Sequence, residues 1–263
     1  MDLRSHITTD SLLNSAMSVL NYQPFVLTDN IQTGVAWSWK PGKDPRVNPT
    51  LIQNKASMSK EEWDDATALN NMLRSLYNDL LDEAVAKAPG GTLLDVACNN
   101  GYFPVGAEIR GMHGIGMDIA YHYGRSVSFL NSVLGTKAEF ISTHYDSIKH
   151  KLPIDFKVDI TVMTAIMCHI PDPLHFLGAV AAITKKMLIF WGQVIETDSM
   201  IVAYNPPHSN LSRITDFPNS FNDNTRISTG MFKQVAKLLG FSEVIELKPK
   251  PEWTHAKLPN GEV

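Results

Sequence analysis

The 263-residue sequence is poor in cysteine, and Cys98 and Cys168 are the only two. Two separate cysteines exclude the disulfide framework of small secreted domains and fit a reduced cytoplasm, which is the predicted location. The nine histidines are scattered, and neither C-x-x-C nor H-E-x-x-H occurs. Because metal centres need ligands at short characteristic spacings, we expect no metal.

Long hydrophobic runs are also missing. No stretch approaches the ~20 apolar residues of a membrane span, and the N-terminus lacks the charged-then-apolar layout of a signal peptide. The formal net charge is −4, so the overall charge does not favour polyanions. Hydrophobic residues make up 44% of the chain, which is ordinary for a globular protein with a sizeable core. We therefore expect neither a membrane protein nor a general nucleic-acid binder.

Three glycine-containing motifs of common active sites are absent. Neither G-x-G-x-x-G nor G-x-x-x-x-G-K-[ST] occurs, so a dinucleotide pyrophosphate or a nucleoside triphosphate has no obvious phosphate cradle. The hydrolase motif G-x-S-x-G is missing too. Nicotinamide-dependent oxidoreductases and α/β-hydrolases are therefore disfavoured.

The chain does contain an apolar run that closes on Asp95, a turn, a helical segment and a second apolar run that closes on Asp118. This pattern predicts a βαβ unit whose strand ends meet at one edge of a sheet. A backbone that passes close beneath a ligand needs residues that are small or tolerate the left-handed conformation. The turn supplies Ala97, Asn99, Asn100 and Gly101. Because a carboxylate at Asp118 can accept both hydroxyls of a ribose, this edge is predicted to bind a nucleoside.

Residues 94–101, with the sequence LDVACNNG, resemble the first motif of class I S-adenosylmethionine-dependent methyltransferases. The chain keeps one of that motif's three glycines, at Gly101, and the resemblance extends from about residue 93 to residue 247. It implies S-adenosylmethionine as the cofactor. The cofactor-binding residues that it implies are Asp95, Ala97, Cys98, Asn99, Gly101, Asp118, Ile119, Tyr145, Asp146, Thr164 and Ala165.

The resemblance also implies the fold. We expect an α/β protein with a Rossmann-like, doubly wound, mostly parallel seven-stranded sheet and helices on both faces. Residues 1–90 would form an N-terminal extension of a helix, a hairpin-like segment and a long helix. Residues 91–263 would form the methyltransferase domain, with a substrate-selecting insertion at about 192–228. Residues 241–247 are expected to be one of its last strands.

The N-terminal extension carries a second, shorter resemblance. Residues 22–39 have a hairpin pattern and resemble the segment that precedes the core in methyltransferases related to the tRNA wobble-uridine carboxymethyl-transferring group. Trp37 and Trp39 lie beside cations and either line a substrate site or anchor the extension to the core. A short amphipathic helix at residues 8–20 is expected to cover either a pocket or a subunit edge, and the second alternative would imply a homodimer.

Two candidates for a general base follow predicted strands. Residues 169–173 have the sequence H-x-x-D-P that family members commonly show after the fourth strand. His169 either removes a proton from the acceptor or shapes the loop through backbone hydrogen bonds. Glu196 is a weaker candidate in the insertion. Substrate-binding candidates near the fifth strand are Trp191, Gln193 and Tyr204.

The predicted function is transfer of a methyl group from S-adenosylmethionine to an oxygen or nitrogen of a small-molecule acceptor. The alternatives are a tRNA-modifying methyl- or carboxymethyltransferase, a non-catalytic cofactor-binding subunit and, third, an oxidoreductase. The sequence N-P-P-H at residues 205–208 is similar to a motif of amino-group DNA methyltransferases. It does not directly follow the fourth strand, so a simple turn is favoured and DNA is not expected as a partner.

Overall fold

The structure is a computed structural model, and it describes residues 1–36, 50–143, 152–153, 155–204 and 225–253. The chain divides into two compact units. The first contains Met1–Ser142 and the segment that begins at Pro249, and the second is Thr143–Lys248. This division falls elsewhere than the predicted boundary at residue 90, and an extension that acts as a cap stays a prediction.

The first unit begins with helix α1 (Asp10–Val19) and an antiparallel sheet of β1 (Val26–Thr28), β2 (Ile31–Ala36) and β3 (Thr50–Asn54). The long helix α2 (Lys60–Lys87) follows, and a capping box at Ser59 and Glu62 begins it. Next come β4 (Thr92–Val96), α3 (Tyr102–Ile109), β5 (His113–Asp118), α4 (Tyr123–Leu134) and β6 (Glu139–Ser142). The first unit therefore contains the predicted βαβ unit.

The second unit contains β7 (Val158–Thr164), a short 3-10 helix (Met167–His169), α5 (Pro173–Ile183) and β8 (Thr184–Trp191). Asp172 caps α5 by accepting from the His175 amide, with Pro173 at the first helical position. The strands β9 (Val194–Ile195), β10 (Val202–Tyr204) and β11 (Thr225–Ser228) form a small sheet in the order β10-β11-β9. Helix α6 (Thr229–Leu238) completes the unit.

Among the described residues, five strands belong to the expected parallel sheet, fewer than the seven predicted. In the first unit β4 pairs in parallel with β5 and β5 with β6, and in the second unit β7 pairs in parallel with β8. The prediction of a strand at residues 241–247 was wrong, since this segment has no regular structure. Its apolar side chains are exposed, with Val244 at 40%, Ile245 at 70% and Leu247 at 43%. The apolar residues there bury too little surface to stabilise strand pairing.

Close packing of α3 on β5 explains two glycines of the second apolar run. A Cβ at Gly114 would lie 1.9 Å from the backbone oxygen of Pro104, and one at Gly116 would lie 2.7 Å from Sγ of Cys98. Any side chain at these positions would push the helix or the turn off the strand. The glycines thus set the distance between the helix and the strand that ends at Asp118.

Among the described residues, no helix is both long and apolar enough to span a bilayer.

Candidate functional site

The turn at residues 97–101 joins β4 to α3 in an unusual backbone conformation. Three of its residues have positive φ, namely 66° at Ala97, 49° at Asn99 and 89° at Gly101. Left-handed backbone costs about 1–2 kcal/mol for a residue with a Cβ, so the turn needs compensating contacts. The amides of Ala97 and Cys98 both donate to the carbonyl of Met117, at 2.8 and 3.0 Å. The prediction that this turn needs left-handed conformations is confirmed at three of the four residues.

Asp118 binds the same turn from the end of β5. One carboxylate oxygen accepts from the Asn99 amide at 3.0 Å, and the other accepts from the Ala120 amide at 2.9 Å. The side chain is only 7% exposed. Because each carboxylate oxygen has two acceptor positions, one remains on each for a further donor. Asp118 therefore fixes the turn and retains the capacity to bind hydroxyl groups.

Asp95 is the second carboxylate of the site and lies near the end of β4. It is 1% exposed, and neither of its carboxylate oxygens has a hydrogen-bond partner within the described ranges. Burial raises the pKa of Asp95 well above its usual range, and the nearby charge of Asp118 raises it further. A buried carboxyl group without partners is unfavourable, so its oxygens are available to a donor or a cation.

The turn also places Cys98 and Asn99. Cys98 is fully buried, and burial raises the pKa of its thiol well above the usual range, with Asp95 and Asp118 adding to the effect. Such a thiol is a poor nucleophile, so Cys98 serves packing. The Asn99 side chain donates to the hydroxyl of Tyr123 at 2.9 Å and accepts from the Asn100 amide at 2.8 Å. Sequence reasoning missed Tyr123.

Two exposed apolar side chains lie just after β5. Ile119 is 68% exposed and Tyr121 is 74% exposed. An exposed apolar side chain next to the Asp118 carboxylate can contact a flat ligand, and Ile119 stays a predicted cofactor-binding residue.

Sequence reasoning also missed the importance of Asn100. This residue was expected only to tolerate a left-handed turn, but its φ is not positive. Its carboxamide is 1% exposed and hydrogen-bonds to residues 19–23, to which no local sequence signal connects it. The polar residue type in an otherwise small-residue turn was the one available signal.

The second unit holds the predicted loop after β7. Thr164 ends the strand and pairs in register with Trp191 of β8. Ala165 has a φ of 52°, is exposed, and donates its amide to the Trp191 carbonyl at 2.7 Å. His169 ends the short 3-10 helix with an exposed side chain, and its amide donates to the Ile166 carbonyl at 2.9 Å.

The remaining candidates in the second unit lie in and beyond β8. Trp191 is half-buried, whereas Gln193 and Glu196 are exposed. Tyr204 ends β10, and burial raises its pKa, with a contribution from Asp172. Four other predicted site residues lie outside the described residues, namely Trp37, Trp39, Tyr145 and Asp146.

Two curated relatives share part of this sequence. Ubiquinone biosynthesis O-methyltransferase of Marinobacter nauticus is 25% identical over 142 residues, which cover 53% of this chain and 59% of that protein. The protein of the same name from Hahella chejuensis is 24% identical over 142 residues, covering 53% of this chain and 58% of that protein. The chain thus matches less than two thirds of the relatives' own length. No model of a known protein family matches the chain.

The fold is similar to that of a solved structure. The N-terminal domain of EvdMO1, determined with SAH bound, is 14% identical and has a TM-score of 0.53 over 91% of this chain and 90% of that one. At this identity the likeness concerns the fold. The chain has the Rossmann-like α/β fold of class I S-adenosylmethionine-dependent methyltransferases.

Proposed function

We propose that this protein is an S-adenosylmethionine-dependent methyltransferase that methylates an oxygen or nitrogen of a small molecule. The observation that carries the proposal is Asp118, which closes β5 and holds the 97–101 turn while one acceptor position remains on each of its oxygens. The curated relatives support the reaction class, and the word O-methyltransferase in their name favours oxygen as the acceptor atom.

The residues of the first unit fit the proposed cofactor. Asp118 would accept from the ribose hydroxyls, and the exposed apolar surface of Ile119 would contact the adenine. Asp95 has buried oxygens without partners among the described residues, and a bound cation would lower its raised pKa, so the ionised carboxylate would face the positively charged methionine part. Gly101 keeps the turn in shape, because its φ is 89° and a Cβ there would lie 2.6 Å from Cγ2 of Val127. S-adenosylmethionine supplies a methyl group on a positively charged sulfur.

The contribution of the second unit is proposed from its loops. Thr164 and Ala165, at the end of β7, are the cofactor-binding residues that the family resemblance implies for this unit. The exposed imidazole of His169 would take the proton that leaves the acceptor, with the exposed carboxylate of Glu196 as the weaker candidate. Because methyl transfer depends mainly on alignment of the reacting groups, a weak base suffices. We further propose that residues 192–228 select the acceptor and that residues 1–90 cover the site.

Calorimetric titration tests the proposal directly. We expect micromolar binding of both S-adenosylmethionine and S-adenosylhomocysteine, and no binding of NAD. Transfer of a labelled methyl group into small-molecule fractions would then identify the acceptor, with a tRNA fraction tested in parallel. No binding of either sulfur nucleoside would contradict the proposal, and label in tRNA alone would contradict its acceptor class.

A further inference from the structure

We infer that Asn100 is a positioning residue that fastens residues 19–23 to the 97–101 turn, so that this segment and its Tyr22 side chain form one wall of the cofactor site. The inference rests on the proposed function, because it assigns the segment to the same ligand. It goes further by naming residues that lie almost eighty positions away from the motif in the sequence.

The carboxamide oxygen of Asn100 gathers three consecutive backbone amides. Tyr22 donates to it at 2.9 Å, Asn21 at 3.2 Å and Gln23 at 3.4 Å. Convergence of successive amides on one buried oxygen fixes the path of the backbone through the segment. A change at Asn100 therefore leaves three donors without this acceptor.

The carboxamide nitrogen of Asn100 completes the attachment. It donates to the Val19 carbonyl at 3.0 Å and to the Ser126 hydroxyl at 3.1 Å. Ser126 in turn donates its hydroxyl to the same Val19 carbonyl at 2.7 Å. The end of α1 is thereby tied to both the turn and α4. Asn100 and Ser126 are each 1% exposed, so these hydrogen bonds are shielded from water.

The next residue of the segment extends the attachment to the start of α3. The side-chain oxygen of Gln23 accepts from the Tyr102 amide at 2.9 Å, and Tyr102 directly follows Gly101. Gly101 is the N-cap residue of α3 and has no side chain to satisfy that amide. Gln23 performs this function from outside the helix, and the segment therefore holds the turn at two successive places.

Tyr22 gives this attachment a functional meaning. Its backbone is held by Asn100, yet its side chain is 42% exposed. The pKa of Tyr123, which burial and Asp118 raise, is raised further by Tyr22, so the two phenols are near one another. The hydroxyl of Tyr123 accepts a hydrogen bond from the side chain of Asn99 in the turn. The backbone of Tyr22 is thus fixed beside the turn, and its partly exposed aromatic ring offers surface to a ligand.

The test compares Asn100→Ala with Asn131→Ala. Asn131 is a matched control because its carboxamide also binds a neighbouring segment, through the Thr136 hydroxyl and both backbone groups of Ala138. Calorimetry with S-adenosylhomocysteine would give affinities, and hydrogen exchange would follow residues 19–23. We expect Asn100→Ala to weaken binding about tenfold. In the unmodified chain the ligand should further protect residues 19–23, and this gain should be absent in Asn100→Ala. Asn131→Ala should keep both the affinity for S-adenosylhomocysteine and the ligand-induced protection of residues 19–23.

Tyr22 variants keep the test decisive if Asn100→Ala does not fold. Tyr22→Ala should weaken binding of S-adenosylhomocysteine, and Tyr22→Phe should restore it, because the ring provides the wall. Equal affinity of the unmodified chain, Asn100→Ala and Tyr22→Ala would overturn the inference while the proposed function stands. Failure of the unmodified chain to bind would overturn the proposed function itself.

Discussion

Two segments that follow buried parallel strands each contain an alanine in the left-handed backbone conformation, and different contacts stabilise that conformation in each. The 97–101 turn follows β4, and residues 165–170, here called the 165–170 loop, follow β7. Each begins with an alanine in the left-handed region, Ala97 with a φ of 66° and Ala165 with a φ of 52°. Strained alanines of this kind persist only where the surroundings determine the backbone.

The surroundings of the two segments differ in chemistry. The 97–101 turn is fixed by buried polar side chains, above all Asp118 and Asn100. The described contacts of the 165–170 loop include the amide of Ala165 on the Trp191 carbonyl and the thiol of Cys168 on the Ala165 carbonyl at 3.5 Å. Its Ala165 and His169 are exposed. The comparison teaches that buried polar side chains can hold a strained backbone in place, whereas the second segment keeps its strained alanine and its histidine exposed.

Replacement of Asp118 should have the largest effect, because it breaks the 97–101 turn and removes the proposed ribose acceptor together. We expect Asp118→Ala to weaken binding of S-adenosylmethionine about a hundredfold or more, since hydrogen bonds to a charged group are lost. Calorimetric titration measures this change. Asp82→Ala is the control, because Asp82 forms an exposed ion pair with Arg110 and should leave affinity unchanged. Equal affinities of the two variants would contradict the assignment.

Replacement of His169 tests the 165–170 loop. If His169 accepts the proton, His169→Ala should lower turnover about a hundredfold while binding of S-adenosylmethionine stays unchanged. Steady-state kinetics with the identified acceptor, together with calorimetry, separates the two quantities. His175→Ala is the control, since His175 is also exposed and lies on the following helix α5. Unchanged turnover in His169→Ala would assign this residue to shaping the loop.

The sequence predicted the parts of the site whose signals are local. Asp95 and Asp118 each close an apolar run. Strands buried on both faces consist almost entirely of apolar residues, so one sequence is enough to recognise them. Asn100 could not be predicted in its observed role. Its partners are the backbone groups of residues 19–23, and a backbone group leaves no trace in residue type.

The fold shows the same limit. Strands β9, β10 and β11 have two to four residues each, too few for a periodic pattern to appear. Residues 241–247 contain four apolar residues but have no regular structure, and Val244, Ile245 and Leu247 are exposed. The apolar pattern of a segment indicates which secondary structure it can form, but its packing partners determine which one it adopts.

The pH dependence of stability sharpens the description of the 97–101 site. The pKa of Asp95 is raised in the folded protein, so above the unfolded pKa the folded state holds a proton that the unfolded state has lost. This contribution makes stability fall as pH rises, until the folded pKa is passed. Asp95→Asn should remove that part of the slope. The melting temperature measured from pH 4 to pH 9 for both proteins checks this, with Asp82→Asn as a surface control. A parallel pair of curves would show that Asp95 is charged in the folded state.

The smallest expected effect concerns the two strained alanines themselves. Glycine relieves the left-handed backbone but increases the freedom of the unfolded chain, so the two contributions nearly offset each other. We expect Ala97→Gly and Ala165→Gly each to change the free energy of unfolding by no more than about 0.5 kcal/mol. Denaturant titration measures the change. Ala107→Gly, at a fully buried position in α3, should destabilise by about 1 kcal/mol or more. A loss at Ala97 as large as at Ala107 would mean that the methyl group of Ala97 contributes packing that outweighs its strain, and the 97–101 turn would then owe its shape to side-chain packing as well as to hydrogen bonds.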